Sequence, residues 1–213
     1  MIKGRNKYNI LVESFKGVYT IEILCKRLNI NRTRAIYIIY RLRKLGFVKT
    51  SYGQGKKRLY FISPSNKQKG ISYTQKINAV SPIQLASSNP YYIHGRNPSY
   101  EETLIYAIKQ KDIRYLIASL ILFRKISNWS LLYKLAKKEG LINEVIALYE
   151  ISRKVVKKVK KMPNRFINQA KRRKPKHFSY IIKPLSSDDF KDIEKKWNIY
   201  IPLNQTDLEV YKK

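Results

Sequence analysis

Two basic clusters in the first third of the chain have the residue types and spacing to hold a polyanion. The first is Arg32, Thr33, Arg34, Ile36, Tyr37, Tyr40 and Arg41, spread over three turns of a helical repeat. If Ala35, Ile38, Ile39 and Leu42 face a core, those seven lie on or near the outer face of the helix. An arginine in the first turn of such a helix can pair two donors with guanine, and Thr33 or Ile36 can meet a thymine methyl. Tyr37, Tyr40 and Arg41, further along, are better placed for phosphates. The second cluster, Lys56, Lys57 and Arg58, follows Gly53-Gln54-Gly55 and would reach an adjacent groove or its backbone. A third run, Lys171, Arg172, Arg173, Lys174 and Lys176, reads as a solvated connection or a secondary nucleic-acid contact.

The elements that must position these residues can be read around them. Thr20 is placed to cap a short helix that carries Ile21, Leu24, Cys25 and Leu28 on one face. After the turn Asn29-Ile30-Asn31, Asn31 caps a second helix that runs to Leu45. Gly46 supplies the left-handed residue that ends it. Phe47 to Ser51 and Arg58 to Ile62 are rich in aromatic and β-branched residues and predict two strands. The glycine-rich, basic stretch between them is the tip of a hairpin. Residues 1–19 predict a preceding helix with Ile10, Leu11, Ser14 and Phe15 as its buried stripe, ended by Gly17.

Helix, turn, helix and basic hairpin resemble the winged helix-turn-helix regulators. Thr20, Leu24-Cys25, Leu28, Asn31, Ile38-Ile39, Leu42 and Gly46 occupy the positions of that family's pattern without insertion. Asn29 departs from it, standing where many members carry Gly. The resemblance covers about a third of the chain and implies binding to double-stranded DNA.

The chain has 213 residues, 44% of them hydrophobic, so it can bury a real core. Its 45 basic and 14 acidic residues give a net charge of +31, and such self-repulsion makes sense beside a polyanion. Residues 1–65 alone hold 15 basic and 2 acidic side chains, the electrostatic footprint of a DNA binder. No apolar stretch approaches the roughly 20 residues that span a bilayer, and the start, Met1-Ile2-Lys3-Gly4-Arg5, leads into no secretory core. No membrane partner is therefore expected, and the location expected by elimination is cytoplasmic, associated with the nucleoid.

For catalysis the sequence offers little. There is no glycine-rich phosphate loop, and no nucleophile stands beside His94 or His177. The adjacent Asp188 and Asp189 are explained by a helix start. Cys25, the single cysteine, reads as a small core residue, and no Cys/His cluster predicts zinc. The expectation is a non-enzyme with no cofactor and no metal.

From Ser63 to Pro98 the periodicity fails, with four prolines and no acidic residue. Residues 66–98 read as a basic linker, in which Tyr91 and Tyr92 pack on a domain surface or stack on unpaired bases. Helical periodicity returns at a Ser99–Glu102 capping box, then at Asp112, Asn128 and Asn143, the last helix running to Lys160 before Pro163. Residues 99–163 are thus a helical domain, available for a protein partner or self-association. Residues 164–213 read as a basic segment with a C-terminal helix from Ser187 to Trp197, a strand candidate at Ile199-Tyr200-Ile201 and a last turn at Thr206 to Tyr211. The run Ile126 to Leu141, with Trp129, Leu132, Ala136 and Gly140, is similar to a helical segment of two-domain, type IV abortive-infection antitoxins. That resemblance implies an autorepressor restraining a partner.

The fold class expected is mainly α with a small β-wing: an N-terminal winged helix-turn-helix over residues 1–65 and a C-terminal helical domain. The function expected is sequence-specific duplex DNA binding by a transcriptional regulator. A chromatin-like architectural protein and a docking subunit of a nucleoprotein machine are the alternatives.

Overall fold

Helix α2 (Ile21–Leu28) opens where the sequence asks it to: the Thr20 hydroxyl accepts from the Ile23 amide at 3.4 Å. It closes on Asn29, a left-handed residue with φ 48°. Helix α3 (Arg32–Lys44) is capped by Asn31, whose side chain accepts from the Arg34 amide at 2.9 Å. The computed structural model describes residues 10–64, 70–86, 91–94 and 96–211. Its contacts divide the chain into two units, Met1–Ile71 with Tyr92–Asn97, and Ser72–Tyr91 with Pro98–Lys213. The architecture is mainly helical with a small antiparallel sheet.

In the first unit, residues 10–14 are helical (α1). Gly17 does not simply end that helix; with φ 147° it begins a strand, β1 (Gly17–Tyr19). Strands β2 (Val48–Tyr52) and β3 (Arg58–Ile62) pair antiparallel from Val48↔Ile62 to Tyr52↔Arg58, and β1 adds to the other edge of β3 with Tyr19 opposite Tyr60. The sheet order is β1-β3-β2. Strand β1 escaped the sequence reading because three residues are too few for an alternation, and its partner lies some forty positions on. Tyr19, Tyr60, Ile62 and Val48 join Val12, Ile21, Leu24, Ala35, Ile39, Leu42 and Phe47 in one buried cluster. Cys25 is partly buried against the same cluster, in line with packing.

Gly46 meets two requirements at once. Its φ is 86°, and a Cβ there would lie 2.8 Å from Nδ1 of His94, within the same unit. His94 is thus a packing neighbour of the turn that ends α3.

The strands β4 (Ile71–Ser72) and β5 (Tyr92–Ile93) fall where the chain leaves the first unit and returns to it. Between them the sequence reading expects a linker with one short strand or turn, ordered by packing on a neighbour; the structure adds a helix. Helix α4 (Tyr73–Asn78) starts on a Ser72–Gln75 capping box, and its Ile77, with Leu85, is buried in the core of the second unit. Tyr73 stacks on Tyr91 and on Tyr106, the latter with ring centroids 4.5 Å apart. Pro82 interrupts the apolar run Ile77, Val80, Ile83 and Leu85 before a helical period can build, which is why the segment reads as linker. Residues 65–69 and 87–90 of it lie outside the described residues.

The second unit stacks α5 (Tyr100–Lys109), α6 (Ile113–Ser119), α7 (Trp129–Glu139) and α8 (Ile142–Val155) around one apolar core. Their caps are Ser99, Asp112 and Asn128 as the sequence predicts, with Gly140 left-handed after α7. Helix α8 stops at Val155 rather than Lys160, because Val156 turns extended to bury its side chain and Lys158 adopts φ 62°. Residues 164–213 belong to this unit and contribute to its core, and two expectations about their elements are corrected. Asn164–Arg172 form a helix, α9, anchored by buried Phe166 and Ala170 one turn apart. The last helix, α10, spans only Lys191–Trp197; Ser187 does not cap it but accepts from the Asp189 amide in the turn before it. The pair β6 (Ser179–Tyr180) and β7 (Ile199–Tyr200) is parallel, and Thr206–Tyr211 form a 3-10 turn.

Buried carboxylates organise this unit. The Glu101 side chain accepts from the Ser127 and Asn128 amides at 3.1 and 2.8 Å, and Glu194 from the Ile201 amide at 2.7 Å. Burial pushes the Glu101 carboxyl up, yet the hydrogen bonds from Asn128, from its own amide and from Ser127 prevail and hold it below the ordinary range.

Candidate nucleic-acid interface

Helix α3 sorts its side chains by the helical repeat. Ala35, Ile39 and Leu42 are buried and Ile38 half-buried, while Arg32, Thr33, Arg34, Ile36, Tyr37, Tyr40 and Arg41 are all exposed. Ile36 and Tyr37 keep 49% and 55% of their surface in water, a large apolar and aromatic area for which the fold has no use. The hairpin carries Lys56, Lys57 and Arg58, likewise exposed, on a loop where Gly55 and Lys56 both take left-handed φ, 67° and 57°.

The cations are not equivalent. Arg32 donates to Glu22 of α2 at 2.8 Å. The Glu22 carboxyl is held below its usual range first by its own backbone amide, then by the Thr20 hydroxyl and by Arg32. Arg58 donates to the Tyr52 hydroxyl at 3.0 Å across the hairpin, with its guanidinium 5.5 Å from the Tyr52 ring centre. Lys44 lies 4.7 Å over the Tyr40 ring. By contrast Arg34, Lys56 and Lys57 have no hydrogen-bond or ion-pair partner for their side chains among the described residues. Of the six predicted contact cations, Arg32, Arg41 and Arg58 are engaged within the fold, and Arg34, Lys56 and Lys57 have no partner among the described residues.

An open concavity of about 730 Å³ lies between the start of α2, the outer face of α3 and the hairpin, lined by Thr20, Glu22, Ile23, Ile36, Lys57 and Arg58 among others. Ile23, 49% exposed, and Glu22 are lining residues that sequence reasoning missed. The signal was present: Ile23 lies off the stripe of Ile21, Leu24 and Leu28, so an apolar residue there has no core to face. Arg43, Lys44 and Lys49 extend the exposed basic surface of the same unit.

The third run lies in the second unit. Lys171 and Arg172 end α9, and they, Arg173, Lys174 and Lys176 are exposed, with the Lys174 ammonium donating to the Lys195 carbonyl at 3.1 Å. Among the described residues no three His, Cys, Asp or Glu side chains converge as metal ligands, and no helix is long and apolar enough to cross a membrane. No known protein family, curated protein or solved structure matches the chain.

Proposed function

We propose that the first unit is a winged helix-turn-helix that binds double-stranded DNA with sequence preference, and that the protein is a transcriptional regulator. The order α1-β1-α2-α3-β2-β3, with β1-β3-β2 in the sheet, supports the winged-helix reading. One observation carries the DNA reading. The outer face of α3 and the hairpin tip expose uncommitted cations, Arg34, Lys56 and Lys57, beside exposed Thr33, Ile36 and Tyr37. A face built only for phosphates needs charge; groups that can distinguish bases are useful in a major groove. Arg34 follows the Asn31 cap by three residues, in the turn of a recognition helix that approaches base edges. Lys56 and Lys57 reach the flanking backbone in this reading, and the protein acts by occupancy.

The test is a selection from random duplexes, followed by binding at moderate salt to selected and to bulk random DNA. The expected result is an enriched motif bound at least about a thousandfold more tightly than random sequence. Equal affinity for both pools would replace the regulator with an architectural protein that binds by charge and shape.

A further inference from the structure

In the second unit, helices α7 and α9 flank a cleft of about 430 Å³ whose lining includes Trp129, Tyr133, Lys134, Lys137, Arg165 and Phe166. That volume lies within the range of small-ligand sites. The residues recur at helical spacing on one face of each helix, so α7 and α9 present them together. The wall is aromatic. Phe166 is buried and sets the rings of Trp129 and Tyr133 edge-on around it, at centroid distances of 6.5 and 5.2 Å. Tyr149 braces Trp129 from behind at 5.7 Å, and its hydroxyl accepts from the Met162 amide just before α9. Trp129 and Tyr133 nonetheless remain half-exposed.

The rim is basic and uncommitted. Lys134, Lys137 and Arg165 are exposed and make no ion pair among the described residues, nor do the Trp129 indole, the Tyr133 hydroxyl or the amide of Gln169, which also lines the cleft, make a hydrogen bond there. Among the described residues no carboxylate lines the cleft. Helix α9 carries no acid, and Glu139, the one acid of α7, is paired with Lys109 at 2.5 Å. Glu150 holds Lys196 and Asp192 holds Lys154 at other places in the unit, and no acid does so for the three cations around these rings among the described residues. Rigid half-exposed aromatics favour a flat π-system, unpaired cations favour phosphate, and the idle indole, hydroxyl and amide can meet the edge of a base.

We propose that this cleft binds a nucleotide, its base against Trp129 and Tyr133 and its phosphate on Lys134, Lys137 and Arg165. The cleft is lined by residues of the second unit alone. The same chemistry is offered by a free mononucleotide and by one unit of a single strand.

The full-length protein carries its own probe. Trp197 is 1% exposed and bonded to Glu150, so of the two tryptophans only Trp129 is open to a quencher. AMP and a single-stranded deoxyadenylate pentamer are each titrated against tryptophan emission without duplex DNA. Both should quench saturably, and Trp129→Phe should abolish the signal. Lys134→Ala/Lys137→Ala/Arg165→Ala, all surface changes, should raise the half-saturating AMP concentration about tenfold or more. Tyr133→Leu, which keeps the charges, should weaken AMP but not inorganic phosphate, read as a competitor. Tighter binding of the pentamer than of AMP would assign a single strand as the source; the reverse order would assign a free nucleotide. The inference is overturned if neither probe quenches saturably, or if the triple variant binds as the wild type does. It is equally overturned if inorganic phosphate displaces AMP at equal concentration, or if an acidic, tyrosine-containing peptide binds the cleft more tightly than either nucleotide.

Discussion

Acidic side chains do more of the building in the second unit than in the first. In the second, acidic side chains are structural: Glu101 and Glu194 are buried on backbone amides, Glu102 and Asp112 cap helices, and Glu139, Glu150 and Asp192 each hold a lysine. In the first, the acid Glu22 holds Arg32, while Arg34, Lys56 and Lys57 face water with no counter-charge among the described residues. Carboxylates on amides close a core, whereas cations left unpaired beside exposed apolar groups contribute nothing to it. Net charge alone does not separate these cases; the partners of each charge do.

The largest effects should come from the cores, and they should stay within their own units. Leu42 is 1% exposed in the small cluster of the first unit. Leu42→Ala should cost about 3 kcal/mol, seen as faster hydrogen exchange across α2, α3 and the sheet. Slow exchange preserved there would mean that the cluster is not what holds this unit together.

Next is the buried carboxylate. Glu101→Ala leaves the Ser127 and Asn128 amides without their acceptor and should cost about 2–3 kcal/mol, read as weaker exchange protection at the start of α7. Glu101 titrates below its unfolded value, so its contribution is present above about pH 4.3 and disappears as pH falls through the folded pKa. Glu101→Gln should flatten that acid limb. An unchanged acid profile in Glu101→Gln would show that the carboxylate charge contributes nothing there.

Much of this division was legible in the sequence. Thr20, Asn31, Ser99, Asp112, Asn128 and Gly140 mark their helix ends because caps are local and depend on side chains within a few residues. What was not legible depends on distant partners. Strand β1 exists because β3 lies beside it, α4 because Ile77 finds the second core, and α9 because Phe166 and Ala170 do. Position 187 carries a good cap residue, yet burial of Phe190 and Trp197 starts the helix later. For the candidate interface, exposure followed from the helical repeat; the pairing of Arg32 with Glu22 and of Arg58 with Tyr52 did not, since each needs the tertiary turn or the hairpin register.

That pairing makes the three hairpin cations unequal. Lys56→Gln and Lys57→Gln should each lower the slope of log affinity against log salt by about 0.9 for every phosphate left unneutralised, on all duplexes alike. Arg58→Gln should lower it less, because Arg58 is held across the hairpin by Tyr52. Equal effects of all three would mean that the Tyr52 hydrogen bond is given up on binding.

Whether unpaired charge on α3 reads sequence is decided at Arg34. Lysine keeps the charge but cannot offer two donors in the plane of a guanine. The measurement compares wild type and Arg34→Lys on the selected duplex with each base pair changed in turn to its alternatives. At one base pair the wild type should discriminate by about 1–3 kcal/mol and the variant should not, with affinity for random DNA unchanged. Equal discrimination by both proteins at every pair, or none by the wild type, would contradict the account.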